Sequence, residues 1–196
     1  MSAQHYLGFN KSAGERVFYV ATIGDEWVGL VAWAAASLSV ECRDSWIGWD
    51  GLAKSKRLSL VVNNTRFLVL KRIPNLASKI LSQNIKRLSS DWQAFYGHPV
   101  VLAETFVDPS RFVGSCYLAA GWQCIGTTKG FSRTNSAQWY EKHGQQKKMF
   151  VRELTKSCRT MLADPYFDVK NLNGGVFMIG RVAVAYWLLT VLTLHA

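Results

Sequence analysis

The segment from Leu58 to Leu70 (LSLVVNNTRFLVL) constrains the fold most, because strand-forming residues flank a polar triplet, Asn63-Asn64-Thr65, inside an apolar run. Short polar side chains that tolerate unusual backbone angles in such a place predict a strand with a bulge or bend. The chain continues through Lys71-Arg72-Ile73 to Pro74, a residue allowed near a helix start, and to Asn75 as N-cap. Beyond it Leu76, Ile80, Leu81, Ile85 and Leu88 recur at helical spacing, which predicts a helix from about Asn75 to Leu88.

The flanking sequence fits the same architecture. Arg16 to Ile23 and Trp27 to Trp33 are apolar runs separated by Gly24-Asp25-Glu26, the pattern of a hairpin. Pro99 to Val107 reads as a strand, Arg111 to Ala120 as a short helix ended by Gly121, and Trp122 to Thr128 as a further strand. Gly126 to Lys148 is polar and poorly periodic, a loop or an irregular strand pair. Helices interspersed among strands predict an α/β fold with a mixed, mainly antiparallel sheet and flanking helices. With 196 residues, 49% of them hydrophobic, one substantial core is expected.

Cys42, Cys116, Cys124 and Cys158 show no CxxC spacing, and the amino terminus MSAQHYLGFN has no apolar run behind a basic start. Reduced thiols and a cytoplasmic location are expected. His5, His98, His143 and His195 are isolated, so no metal site is predicted. Neither a GxGxxG fingerprint, a Walker motif nor a GxSxG elbow is present, which leaves nucleotide hydrolysis and serine hydrolase chemistry without support.

Five blocks carry a family resemblance: Arg43-Asp44-Ser45-Trp46-Ile47-Gly48-Trp49; Asn63 to Leu70; Pro74-Asn75-Leu76-Ala77-Ser78; Glu104-Thr105-Phe106-Val107-Asp108; and Cys116-Tyr117-Leu118-Ala119-Ala120-Gly121-Trp122. In this order they resemble the DruA family of the Druantia anti-phage systems, whose members also occur beside transposase-like sequences. The resemblance implies a DruA-like domain over residues 5–154, followed by a linker over 155–175 and an apolar tail over 176–196. Longer members carry a helical region before the HYLG-type segment, and residues 171–196 match nothing of the family, so a fragment or a shortened member is expected.

A more distant resemblance is to the Gcn5-related N-acetyltransferase fold, in which an Arg/Gln-x-x-Gly-x-Gly/Ala turn between a broken strand and a helix cradles the pyrophosphate of coenzyme A. Here Arg72, Asn75, Leu76 and Ala77 stand at that junction, with Asn75 where glycine is usual. The resemblance implies that they form a cofactor site for acetyl-coenzyme A if acyl transfer is retained, and otherwise no cofactor is expected. Tyr117, in a stretch similar to the Tyr-x-x-x-Gly-Phe helix end of that fold, is then a candidate general acid for a departing thiolate. Its alternative is packing on Trp122. Glu104, alone in PVVLAETFV, is a candidate base if burial raises its pKa, or else the partner of Arg66 or Arg111. Asp108, before Pro109, reads as a turn cap.

Charge supplies the clue to a partner. The chain has 23 Lys and Arg against 13 Asp and Glu, a formal charge of +10. Residues 51–90 hold Lys54, Lys56, Arg57, Arg66 and five further cations with no Asp or Glu, and Lys129, Arg133, Lys147 and Lys148 lie in a second basic segment near Phe131, Trp139, Tyr140 and Phe150. Such mixtures hold phosphates and stack bases, and they equally form solvated faces over core aromatics. Nucleic acid is therefore the expected partner, with other defence-system or transposase proteins as alternatives. With no helix-turn-helix, zinc finger or RNP motif, binding would follow shape and backbone. Val176 to Leu194 is almost continuously apolar and near the length of a bilayer span, yet it contains Gly180 and Arg181 and lacks an anchor beyond it. A membrane is not expected, and the domain is expected to fold without residues 171–196.

Overall fold

The computed structural model describes residues 14–133, 140–142, 144–169 and 189–194. A seven-stranded sheet forms its centre. The strands, in chain order, are β1 Arg16–Ile23, β2 Glu26–Ala35, β3 Val61–Val69, β4 Leu102–Val107, β5 Gln123–Thr127, the short pair β6 Phe131–Arg133 and β7 Tyr140–Lys142, β8 Lys148–Glu153 and β9 Leu189–Thr193. The sheet runs β5-β8-β4-β3-β2-β1-β9, and β6 and β7 form a separate two-stranded ladder. Among the described strands, only β3 with β4 and β1 with β9 pair in parallel. The sheet is thus mixed and mainly antiparallel with flanking helices, as expected.

Alternation along the strands divides the core into two layers. Val62 and Ala103 join Val17, Tyr19, Val31 and Trp33 in one cluster, under Leu76, Ile80, Leu81, Leu88 and Trp92 of the helix α3 Leu76–Tyr96. Val61 and Leu102, one residue earlier on each strand, belong to the other cluster. There Met149 and Val151 meet Ile47 of α1 Glu41–Ile47, Ala53 of α2 Gly51–Arg57, and Cys158 and Leu162 of α5 Cys158–Ala163. The remaining helix, α4 Ser115–Ala119, follows β4 on the α3 side. α3 lies so close to the sheet that a Cβ on Gly29 would fall 2.6 Å from Ile80 Cδ1.

Several boundaries differ from expectation. α3 runs eight residues past Leu88, because Trp92 continues the buried stripe and Arg87 pairs with Asp91 one turn on, before Gly97 ends the helix at φ 79°. α4 begins only at Ser115, since Arg111 and Phe112 donate to the Asp108 carbonyl in a turn and Gly114 stands at φ 84°. α1 and α2, seven residues each, were not expected at all; α2 is capped by Asp50, whose Oδ1 accepts from Ala53 N at 2.7 Å. The stretch assigned to a linker contains α5, whose Cys158, Met161 and Leu162 are buried. The apolar tail supplies β9 at the outer edge of β1, and Leu194 is buried; residues 176–188 lie outside the described part.

Candidate functional site

The polar triplet produces the bulge that shapes the site. Opposite β2 the register passes from Ala32↔Arg66 to Trp33↔Asn64, so Thr65 is the extra residue. β3 and β4 pair only from Val61↔Leu102 to Asn64↔Thr105 and then part. The opening is a cleft of about 640 Å³. Residues 64–69 line one side, residues 105–108 and 111–117 the other, and Ala77 enters from the first turn of α3.

Asn64 and Tyr117 stand where the strands separate. Asn64 Nδ2 donates to the carbonyls of Ala32 at 3.0 Å and Arg66 at 3.1 Å, while Oδ1 accepts the Tyr117 hydroxyl at 2.8 Å. The Tyr117 ring stacks on Phe150 and meets Trp122 edge-on, with centroids 5.8 and 5.2 Å away, so the packing reading of this residue holds alongside its position in the cleft. Asp108 accepts from the Ser110 hydroxyl and amide, which together hold its carboxyl below the ordinary range. It is the turn cap expected of it.

Glu104 is not brought to Tyr117. It follows Ala103 and precedes Thr105 on β4, and its side chain enters the opposite layer, where Arg43 of α1 meets it at 3.2 Å. Both side chains are completely buried. Neither Arg66 nor Arg111 is the partner found. Burial pushes the Glu104 carboxyl up to about 7, against the pull of Arg43. Arg43 also donates to the Ser37 carbonyl at 2.8 Å and to Asp44 at 2.9 Å, and Lys54 reaches the other oxygen of Asp44 at 2.7 Å. Although burial raises Asp44, Lys54 and Arg43 hold it below its ordinary value. A carboxylate buried in this network ties the segment before α1 to the sheet and has no route to act as base beside Tyr117.

At the turn before α3, Asn75 does not cap with its side chain. Its backbone is left-handed, φ 60° and ψ 5°, the conformation that glycine adopts most freely and asparagine tolerates better than most residues. Asn75 thus fills glycine's backbone role. Arg72 is exposed, Ala77 borders the cleft, and Leu76 points into the core, leaving only its backbone for a ligand.

The basic residues separate into distinct settings. Arg57 is buried, and its guanidinium donates to the carbonyls of Asp164 and Phe167, so it fastens α2 to the chain beyond α5 instead of facing a partner. Lys54 is held by Asp44, Lys129 by Glu41 at 2.5 Å, and Lys56 lies over the Tyr166 ring. Arg66 lines the cleft. Lys147 and Lys148 are half-buried at the start of β8, and the Arg133 side chain lies outside the described residues. Among the described residues there is no group of three metal-ligating side chains, and no helix is long and apolar enough to cross a membrane. All four cysteines are free.

Among solved structures, the chain is similar to smu.2055 from Streptococcus mutans UA159, at 11% identity over 69% of this chain and 68% of that one, with a TM-score of 0.41. It is also similar to an agmatine N-acetyltransferase variant in its apo form (13%, 65% and 70%, 0.34) and to a CoA-dependent acyl-homoserine lactone synthase, MesI (12%, 70% and 62%, 0.33). No curated protein matches the sequence. The model of the family described as Druantia protein DruA matches residues 1–151, which include the bulged strand, the turn before α3, both Asn64 and Tyr117, and the Arg43–Glu104 pair. The chain belongs to the DruA family.

Proposed function

We propose that this chain serves anti-phage defence in the cytoplasm by engaging nucleic acid across the end of the sheet at which the cleft opens. The observation that carries the reading is a convergence of cations produced by strand direction. β3 and β4 are parallel and end on the same side, which brings Arg66, Arg72 and Arg111 there. β8 runs against β4 and starts on that side, with Lys148 opposite Val107 and Lys147 just before it. Positive groups along one rim bind phosphates by releasing counterions, independently of base sequence. Lys54 and Arg57, engaged elsewhere, contribute to the fold. Fluorescence anisotropy with single- and double-stranded oligonucleotides tests the reading: binding that weakens steeply with salt is expected, and no binding at low salt refutes direct engagement in favour of a protein partner of the defence system or a transposase.

A second reading, coenzyme A-dependent acyl transfer, is favoured by one observation: the cleft lies between a bulged strand, a turn with a left-handed residue at a long helix start, and a tyrosine. Arg72 and the backbone of Asn75, Leu76 and Ala77 would hold the diphosphate, aided by the dipole of the first turn of α3, where the Leu76 amide would have to exchange the Ile73 carbonyl, 3.2 Å away, for the ligand. Bound acetyl-coenzyme A would supply an activated acyl thioester. Tyr117 would be the general acid for its sulfur, and Glu104, held by Arg43, would not accompany it as base. Calorimetry with acetyl-coenzyme A separates this reading from the first, since a flat titration at millimolar ligand removes it.

A further inference from the structure

β3 loses a neighbour at its bulge. Farther along, Leu70 N donates to the Val28 carbonyl at 2.9 Å, and Leu68 stands opposite Leu30 in the same register. In an extended strand the backbone groups of successive residues point to opposite edges, so those of Phe67 and Val69 are turned away from β2. On that edge β4 pairs no further than Asn64↔Thr105, and no other described strand takes its place. The Phe67 carbonyl and the Val69 N–H thus stand side by side on the cleft wall, an acceptor next to a donor. Apolar side chains flank this edge on both faces of the sheet. Phe67 and Val69 pack on the α3 side, and Phe106, across the gap on β4, packs on the α1 side.

We propose that the cleft admits one unpaired nucleobase of a single-stranded nucleic acid, its edge on the Phe67 carbonyl and the Val69 N–H and its phosphates on the cationic rim. The inference rests on the nucleic-acid reading and adds to it the form of the ligand. A Watson–Crick edge sets a donor beside an acceptor, which matches the open backbone pair, and a flat ring offers one face to the apolar side chains of each layer. The volume of about 640 Å³ lies within the range of pockets that enclose small organic ligands. In a duplex that edge is taken by the complement and those faces by the neighbouring pairs, so the base must leave its stack to enter. The rim alone would favour the duplex, whose phosphates are denser. A preference for the single strand therefore reports the cleft and not the charge.

Fluorescence anisotropy of the full chain at one fixed salt concentration provides the test, with three probes of equal length: a single-stranded oligonucleotide, the same sequence in duplex, and an abasic sugar-phosphate strand of the same charge per strand. The single strand is expected to bind roughly five- to a hundredfold more tightly than the abasic strand, the range of one stacked base, and more tightly than the duplex. Val69→Pro removes the donor on the edge that β2 does not use, and Ala77→Phe fills the cleft from α3. Each is expected to lower single-strand affinity to that of the abasic strand while the slope of affinity against salt stays unchanged, which loss of the rim cations would move. Should either variant fail to fold, the wild-type comparison decides. Equal affinity for the single and abasic strands, a duplex bound as tightly as the single strand, or folded variants that bind the single strand like the wild type overturns the inference and leaves the nucleic-acid reading standing; no binding of any probe at low salt overturns both.

Discussion

Replacing Arg43 by methionine leaves a carboxyl at 0% exposure without its cation. Removing one partner of a buried ion pair typically costs about 3–5 kcal/mol, because the other charge stays desolvated. The loss of Arg43 also strips a donor from the Ser37 carbonyl at 2.8 Å and from Asp44. Glu104 can escape part of the penalty by taking up a proton, and its carboxyl already stands near 7 with Arg43 present. The variant should therefore lose more stability at pH 8 than at pH 6. In the wild type, the native state binds this proton more tightly than the unfolded state, whose ordinary value is 4.5. The stabilisation from protonated Glu104 is complete below about 4.5 and is lost as pH rises through about 7, by roughly 3 kcal/mol at most. Urea denaturation at both pH values measures these effects, and Arg43→Met combined with Glu104→Leu should recover more than about 1 kcal/mol relative to Arg43→Met alone. A single variant that costs under about 1 kcal/mol, or a double variant that simply adds the two losses, would refute the assignment of a coupled buried pair.

Three further outcomes follow from local geometry. Asn75→Gly should stabilise the protein by a few tenths of a kcal/mol and Asn75→Ala should destabilise it by about 1 kcal/mol in the same denaturation assay, because φ 60° suits glycine and penalises a plain Cβ. Gly114→Ala should cost more than about 2 kcal/mol, since its Cβ would lie 2.5 Å from Phe150 Cζ at φ 84°; a neutral variant would mean that the Phe150 ring yields. Truncation before Leu189 removes an edge strand and buried Leu194, and burial of one leucine, about 2 kcal/mol, corresponds to a thermal midpoint lower by roughly 4–8 °C; an unchanged midpoint would show that the core closes without it.

The fold was legible where chemistry was local. Asn63-Asn64-Thr65 announced a bulge because polar residues interrupted an apolar run, and Thr65 is the inserted residue. α1, α2 and α5, of seven, seven and six residues, are too short to display a period and were missed. Glu104 was recognisable as an acid inside a strand, but its cation lies 61 residues away on a helix that sequence did not show. Likewise Arg57 looked like any other member of a basic run, and only the return of residues 164–167 to α2 turns it inward. Asn64 and Tyr117 were both within the noted motifs, yet their hydrogen bond depends on the splay of β3 from β4 and could not be read from either motif alone.

The pairing of β1 with β9 gives the sheet a sequence in time. β1 and β2 can zip together as soon as the hairpin has left the ribosome, whereas the outer edge of β1 meets its parallel partner only after Leu189–Thr193 has been synthesised. Until then a strand carrying Val17, Tyr19 and Ala21 presents a row of open backbone donors and acceptors, the template on which another chain could add a strand. β9, made well after the strand it covers, thus acts as a seal, and a chain stalled during translation before residue 189 would leave that edge of β1 exposed to aggregation.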